Sequence, residues 1–270
     1  MDGFLSYEFL QRALLMAVLG GCVCGATGVF VVLWRMSLVG MCISHAAFAG
    51  ALLGLWLGVP PMGGGLVASL CAAASVGPLA DRPGFSLDTA MGVVFSVVMS
   101  LAMMALGMMP GARTEGLGLI WGNLLTVTWA DLALMGGTGL VLSLFIFLFF
   151  KEIQAIIGQR QAALASGLPV RQIYYGCLML MGLVVAFSLK AIGGLLIYSL
   201  IVTPAATALQ LTYSLRAMFL LSAALGGLSS AVGLWLSYCL AVPPGAAIVL
   251  VAALLLAASM VFSPKKYAKA

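Results

Sequence analysis

Charge is what this 270-residue chain has least of: Asp, Glu, Lys and Arg together make up 7% of it, and His45 is its one histidine. A water-soluble domain carries about 25% charged residues, so the shortage excludes an ordinary soluble fold. It also leaves no polar stretch long enough for a nucleotide-binding or ligand-capturing domain, which must then reside on a separate chain. H-E-x-x-H, G-x-S-x-G and G-x-x-x-x-G-K-[ST] are all missing, which removes the common metalloprotease, serine-hydrolase and phosphate-loop chemistries. The six cysteines, Cys22, Cys24, Cys42, Cys71, Cys177 and Cys239, form no C-x-x-C pair and sit inside apolar runs. They read as small hydrophobes. Cys22 and Cys24, two residues apart, do not share a helix face. A formal net charge of +5 comes from scattered Lys and Arg without a basic stripe, which argues against nucleic acid as a partner. The N-terminal segment has Asp2 and Glu8 instead of a basic region and lacks a clear cleavage site, so a retained helix is expected there.

What fills the chain instead is grease: 64% of the residues are hydrophobic. Given about 20 apolar residues per crossing of a hydrocarbon core about 30 Å thick, the runs divide into about nine spans. These are 9–34, 38–58, 62–80, 88–110, 130–150, 171–189, 191–209, 217–240 and 245–262. The expected fold class is therefore all-α, a polytopic helical membrane protein forming one domain over 1–270. Gly58-Val59-Pro60-Pro61 and Ala241-Val242-Pro243-Pro244-Gly245 read as helix-stopping turns, and 111–129 and 151–170 as long joints. Arg35, Arg82, Lys151, Arg160, Arg171, Arg216, Lys265, Lys266 and Lys269 fall in one set of alternate joints. Only Arg12, Arg113 and Lys190 fall in the other, beside Asp2, Glu8, Glu115 and Asp131. The positive-inside bias places the first set in the cytoplasm, with the N-terminus outside and the C-terminus inside.

Within this frame a few residues stand out. Gly21 with Gly25, and Gly50, Gly54 and Gly58, form small-xxx-small ladders that let helices approach closely. Gly193 and Gly194 open the seventh span and Pro204 interrupts it. Two readings stand, a kinked packing helix or a discontinuous helix lining a pathway. His45 lies about 12 Å beyond the joint near Ser37, close to the bilayer midplane, where ionisable groups mark sites or pathways. Met41, one turn earlier, and Cys42, at i−3, can approach its face. Imidazole, thioether and thiol are transition-metal ligands. A neutral histidine bonded to a neighbouring helix, with Met and Cys as filler, is the plainer reading of that local pattern. Residues 160–166 suit a short amphipathic helix ended by Gly167 and Pro169, either lying at the headgroups or docking a partner. Thr128-Trp129-Ala130-Asp131 has the form of a helix cap, with Trp121 and Trp129 as interface anchors. Asp88 with Thr89 is expected to cap the fourth span.

Five ordered motifs resemble the permease subunits of ABC-type importers for zinc, manganese or iron. Met36-Ser37-Leu38-Val39-Gly40 through Ser44-His45-Ala46 is similar to that family's G-D-A-x-S-H-A segment, and Leu87-Asp88-Thr89-Ala90-Met91-Gly92 to its E-D-T-A-x-G. Gly122-Asn123-Leu124-Leu125 with Trp129-Ala130-Asp131-Leu132 matches its G-N-x-L…W-x-D-L joint. Pro204-Ala205-Ala206-Thr207-Ala208 and Pro244-Gly245-Ala246 complete the series along nearly the whole chain.

The resemblance implies an ABC importer permease fold in the bacterial cytoplasmic (inner) membrane. It implies a homodimer carrying a cytoplasmic ATPase on each half and an extracytoplasmic metal-binding protein above. The cargo would be a divalent metal ion, with no cofactor bound permanently. It puts the ATPase-coupling helix in 151–170, at Gln159, Arg160, Gln161, Ala162, Gly167 and Leu168. It also favours His45, beside Met41 and Cys42, as a transit site for the metal; the residue pattern itself offers Gly193, Gly194 and Pro204 as a break along the pathway, and Asn123 and Asp131 as an outer entry. The family's Asp is Met41 here, and its D-P-E-x-A coupling segment is Gln159-Arg160-Gln161-Ala162-Ala163. A thioether in place of a hard carboxylate tilts the expectation towards zinc or another soft-tolerant metal. The alternatives are a permease for a chelated metal or small organic substrate, an intramembrane enzyme working through His45, and a structural scaffold.

Overall fold

A computed structural model describes residues 7–80, 86–108, 116, 118, 119, 121–194 and 196–263. The end of the fourth span at 109–110 lies outside the described residues, as do Asp2, Arg82, Arg113, Glu115, Lys265, Lys266 and Lys269. The described chain is helical, with no strand among the described residues. The helices are α1 (Glu8–Leu33), α2 (Ser37–Trp56), α3 (Pro61–Ala80), α4 (Leu87–Met108), α5 (Trp129–Leu148), α6 (Phe150–Gly158), α7 (Arg160–Ala165), α8 (Val170–Ile192), α9 (Ile197–Leu211), α10 (Leu215–Leu240) and α11 (Pro244–Val261). A 3₁₀ turn, Leu124–Thr126, precedes α5. Eight of these are long and apolar enough to cross a membrane; α9, with 15 residues, is shorter. Together they account for the nine expected spans.

Helix is the form these runs must take, because a lipid-exposed backbone has no water to satisfy its polar groups. Their ends follow from local chemistry. Gly58 takes φ +72 after α2, and Pro61 then starts α3. Ala241 takes φ 53 after α10, and Pro244 starts α11. Proline is at home in a first helical turn, whose N–H groups lack intrahelical acceptors. The fourth span is capped differently from expectation. Ser86 Oγ, rather than Asp88, accepts the Thr89 amide at 3.1 Å, and Asp88 is exposed. The fifth span ends at Leu148, close to the expected 150, but the first half of the joint that follows is helical: α6 buries Ile153 and Ile156.

Packing divides the helices into two groups. α2 lies against α3, α4 and α8, while α1 lies against α9 and α10, and α10 against α11. α1 also meets α8, which joins the groups, and α5 lies outside along α1 and α8. The glycine ladders account for the closest approaches. A Cβ on Gly21 would overlap the carbonyl oxygen of Gly226, one on Gly25 that of Ser222, and one on Gly50 that of Gly64. Ser222 Oγ donates to the Gly25 carbonyl across the same α1–α10 contact. Gly54 also faces α3, through Gly64. Gly58 does not belong to the ladder: nothing lies within 4 Å of its would-be Cβ, and it serves the turn.

Candidate transport site

His45 projects from α2 towards α4. Its ring meets Phe95 edge-on, with centroids 5.1 Å apart. Its Nδ1 lies 2.9 Å from the carbonyl oxygen of Met41, one turn earlier. A carbonyl only accepts, so Nδ1 carries the proton and donates; in the neutral ring this leaves the lone pair on Nε2. Nε2 has no hydrogen-bond partner among the described residues, and the residue is half-buried. An imidazole held this way by its other nitrogen is in the form that ligates metals. Met41 is also half-buried and on the same helix face. Cys42 goes elsewhere: it is 1% exposed, and its Sγ donates to the Met91 carbonyl on α4 at 3.1 Å. The expected trio is thus two residues beside a third that ties α2 to α4. Among the described residues, no three of His, Cys, Asp and Glu gather closely enough to hold a resident metal ion.

At one end of the bundle, three separated backbone segments converge. Gly122, at φ +70, packs so closely on Ile192 and Gly193 that a Cβ would overlap both. Gly193 itself takes φ 92 and ends α8. A Cβ on Gly245 would strike the Leu196 side chain, with Ile192 O and Trp121 O at 3.1 and 3.3 Å. The segments are tied through their main chains: Asn123 N donates to Lys190 O at 2.9 Å, and Gly194 N to Leu119 O at 3.1 Å. Three short motifs, Gly122-Asn123, Gly193-Gly194 and Pro244-Gly245, therefore build one knot. Asn123 is exposed, and its side chain accepts the Leu125 amide at 3.0 Å. The seventh span begins at Ile197 instead of 191 because Gly193 breaks the helix. Pro204, lower in α9, is buried and leaves the Leu200 carbonyl without its helical donor.

Asp131 sits beside this knot. It forms a capping box with Thr128, and its Oδ2 also accepts from Lys190 Nζ at 2.7 Å. The Asp131 side chain is 11% exposed and that of Lys190 40%. This pair joins α5 to α8 across 59 positions of sequence. Lys190→Ala leaves the carboxylate with only its Thr128 donors and is expected to lower stability by about 1–3 kcal/mol. The lower end applies, because water reaches the half-exposed ammonium. Thermal unfolding of the purified protein checks this; an unchanged midpoint would remove the pair from the stabilising contacts. Trp129 Nε1, exposed nearby, donates to Glu8 at 3.3 Å.

The opposite end carries α6 and α7. Arg160 stacks over the Tyr174 ring at 5.5 Å, and Tyr174 meets Trp34 at 5.6 Å. Gly167, at φ +75, closes α7 as expected, and Leu168 N donates back to Ala163 O at 3.2 Å. Gln159, Arg160, Gln161, Ala162 and Gly167 are exposed, whereas Leu168 turns in against the core. Leu164, absent from the expected set, is an apolar side chain 53% exposed on the same short helix. With a single buried position, Ala163, in six residues, the helix carries too little pattern for the sequence to assign its outward face. Glu8, Arg12, Asp131 and Lys190 lie at the knot end, and Arg160, Lys151, Glu152 and Arg216 at the other.

A family model described as the ABC 3 transport family matches residues 6–263. The chain is 34% identical over 265 residues to the manganese transport system membrane protein MntC of Halalkalibacterium halodurans, covering 98% of this chain and 91% of that protein. It is 34% identical over 266 residues to the manganese import system permease protein ScaB of Streptococcus gordonii, covering 98% and 95%. Its structure superposes on a chain of PsaBC from Streptococcus pneumoniae, solved in complex with Fab, with a TM-score of 0.88 and 34% identity over 98% and 96% of the two chains. A metal-chelate type ABC transporter in an inward-facing conformation gives 0.76 at 15% identity over 93% and 85%, a likeness of fold alone.

Proposed function

We propose, from the premise that this chain belongs to the ABC 3 transport family, that it is the membrane-spanning permease of an ATP-driven importer carrying a divalent transition-metal ion into the cytoplasm. The observation that carries this reading is the match along nearly the whole chain to a membrane protein and a permease protein, both named for manganese transport systems. Manganese is accordingly the first cargo to test.

The permease works as one half of a homodimer. The face of α4 with Val93, Val97, Leu101 and Met104 is exposed, and the hydroxyls of Ser96 and Ser100 on it bond only to carbonyls of their own helix at 2.8 Å. A second copy covering that face supports a pathway between the two chains. The end bearing Arg160, Lys151 and Arg216 faces the cytoplasm, in keeping with the bias of positive charge. There α7 presents Gln159, Arg160, Gln161, Ala162 and Leu164 to a separate ATPase, and Gly167 sets the turn. The knot at Gly122, Asn123 and Gly193, with Asp131 beside it, faces an extracytoplasmic metal-binding protein.

In transit the ion meets His45 Nε2, with the Met41 thioether as a weak second contact and Cys42 holding α2 in place. So few ligands suit a carrier, which must release what it admits. Thioether and imidazole place no special demand for a hard ion, so the path tolerates zinc and iron, and the outer binding protein sets most of the choice. Metal uptake by cells carrying the intact system tests this, comparing wild type with Met41→Asp for manganese, zinc and iron. The carboxylate is expected to shift uptake towards manganese by about tenfold, one good ligand's worth of differential affinity. Unchanged ratios would place Met41 outside the path, and absence of uptake of all three metals by wild type would overturn the assignment of cargo.

A further inference from the structure

At the end assigned to the cytoplasm, α1, α5, α6 and α10 enclose an open cleft of about 800 Å³ that the transport reading leaves unused. Its walls are apolar: Ile146, Phe147 and Leu148 on one side, Phe219 and Leu220 on the other. Phe147 is 80% exposed and Leu220 74%. Its rim is charged, carrying Lys151 and Glu152 in the first turn of α6 and Arg216 in the first turn of α10. The Arg216 guanidinium lies 5.2 Å above the Phe150 ring. Among the described residues none of these three side chains makes an ion pair or hydrogen bond, and Glu152 Oε2 is buried without a donor. Ser143, also in the lining, lies five residues before the end of α5 at Leu148, so the cleft runs about 8 Å along α5 into the apolar layer.

The geometry points to a binding site for one glycerophospholipid whose headgroup carries both a phosphate and a primary ammonium, a phosphatidylethanolamine. The phosphate diester sits between Arg216 and Lys151, the ammonium donates to Glu152, and one acyl chain lies along Phe147 and Phe219. Two cations and one carboxylate complement a phosphate and an ammonium, whereas phosphatidylglycerol offers Glu152 only neutral hydroxyls and no N–H cation to balance its charge. A quaternary choline headgroup likewise has no N–H to give. The bound lipid joins α6, next to the coupling helix, to α10. The site requires only that these helices span a bilayer, so its fate is separate from that of the metal-import reading.

The test is native mass spectrometry of the intact permease–ATPase complex, delipidated and then exposed to equal phosphatidylethanolamine, phosphatidylglycerol and phosphatidylcholine. Wild type is expected to retain one phosphatidylethanolamine per permease chain in preference to the other two lipids. Arg216→Gln should reduce that retention about tenfold, the value of one charge-assisted contact. Glu152→Gln should abolish the preference over phosphatidylcholine while retention continues. Ser143→Phe, an exposed position, fills the cleft without touching the rim and should also displace the lipid. Equal retention of all three lipids by wild type, or retention unaffected by both Arg216→Gln and Ser143→Phe, would overturn the proposal. Thermal midpoints of the variants separate loss of the lipid from loss of the fold.

Discussion

With His45 in the proposed transit site, His45→Ala is expected to reduce metal uptake by about a hundredfold while the permease still reaches the membrane in normal amount. Removing even a group that orients a metal-bound imidazole costs about 10–100-fold, and removing the imidazole itself costs no less. The substitution is mild for the fold. Alanine is a good helix former, and the Met41 carbonyl that loses His45 is still bonded by Ser44 Oγ at 2.9 Å. Uptake and ATP hydrolysis measured on the same preparation separate the possibilities. Normal hydrolysis without uptake locates the defect at the transit step. Wild-type uptake of manganese, zinc and iron by the alanine variant would make His45 a packing residue, with Phe95 as its partner.

The second large effect concerns the fold itself. Gly25→Val forces a branched side chain against the Ser222 main chain, where even one carbon would overlap the carbonyl oxygen. The helices must separate, losing the Ser222–Gly25 hydrogen bond and the adjoining contact of Gly21 with Gly226. Overpacking of a tight core costs about 1–3 kcal/mol and more where backbone must shift; here about 3 kcal/mol or more is expected, enough to keep the protein from accumulating. Gly137→Ala in α5 is the control. Gly137 is exposed, with nothing within 4 Å of its would-be Cβ. Alanine there should be neutral or stabilising by about 0.5–1 kcal/mol. Heating each variant in detergent and measuring the monodisperse fraction checks both. Equal midpoints for the two would mean that the α1–α10 contact does not govern stability.

Much of this architecture is legible in the amino-acid order, because lipid imposes length and apolarity on every crossing. The turns at Gly58-Val59-Pro60-Pro61 and at Pro243-Pro244, the cap at Thr128 and the stop at Gly167 rest on local chemistry and fall where expected. Where the reading departs, a distant partner decides. Cys42 has the spacing to join His45, but the Met91 carbonyl on α4 takes its thiol. Asp131 shows its cap in the sequence, whereas Lys190 becomes visible as its partner only once α5 and α8 lie side by side. The end of the fifth span near 150 is announced by Lys151-Glu152, whereas nothing local announces that the joint beyond it stays helical as α6. The knot at Gly122, Gly193 and Gly245 needs three loops at once, each too short to declare what it touches.

The length of α9 has a mechanical meaning. Fifteen residues span about 22 Å, less than the hydrocarbon layer of about 30 Å. Its upper end therefore stops inside protein, beneath the backbone of Gly193 and Leu196. A helix that reaches both headgroup layers is held at its height by mismatch, since sliding it drags apolar side chains into water or polar ones into oil. α9 lacks that restraint at one end. Protein replaces it: Leu196 and Ile197 donate their amides to the Gly193 carbonyl at 3.2 Å, and Gly28 of α1 packs directly against the Ile201 carbonyl, so the height of α9 is set by its neighbours and not by the bilayer.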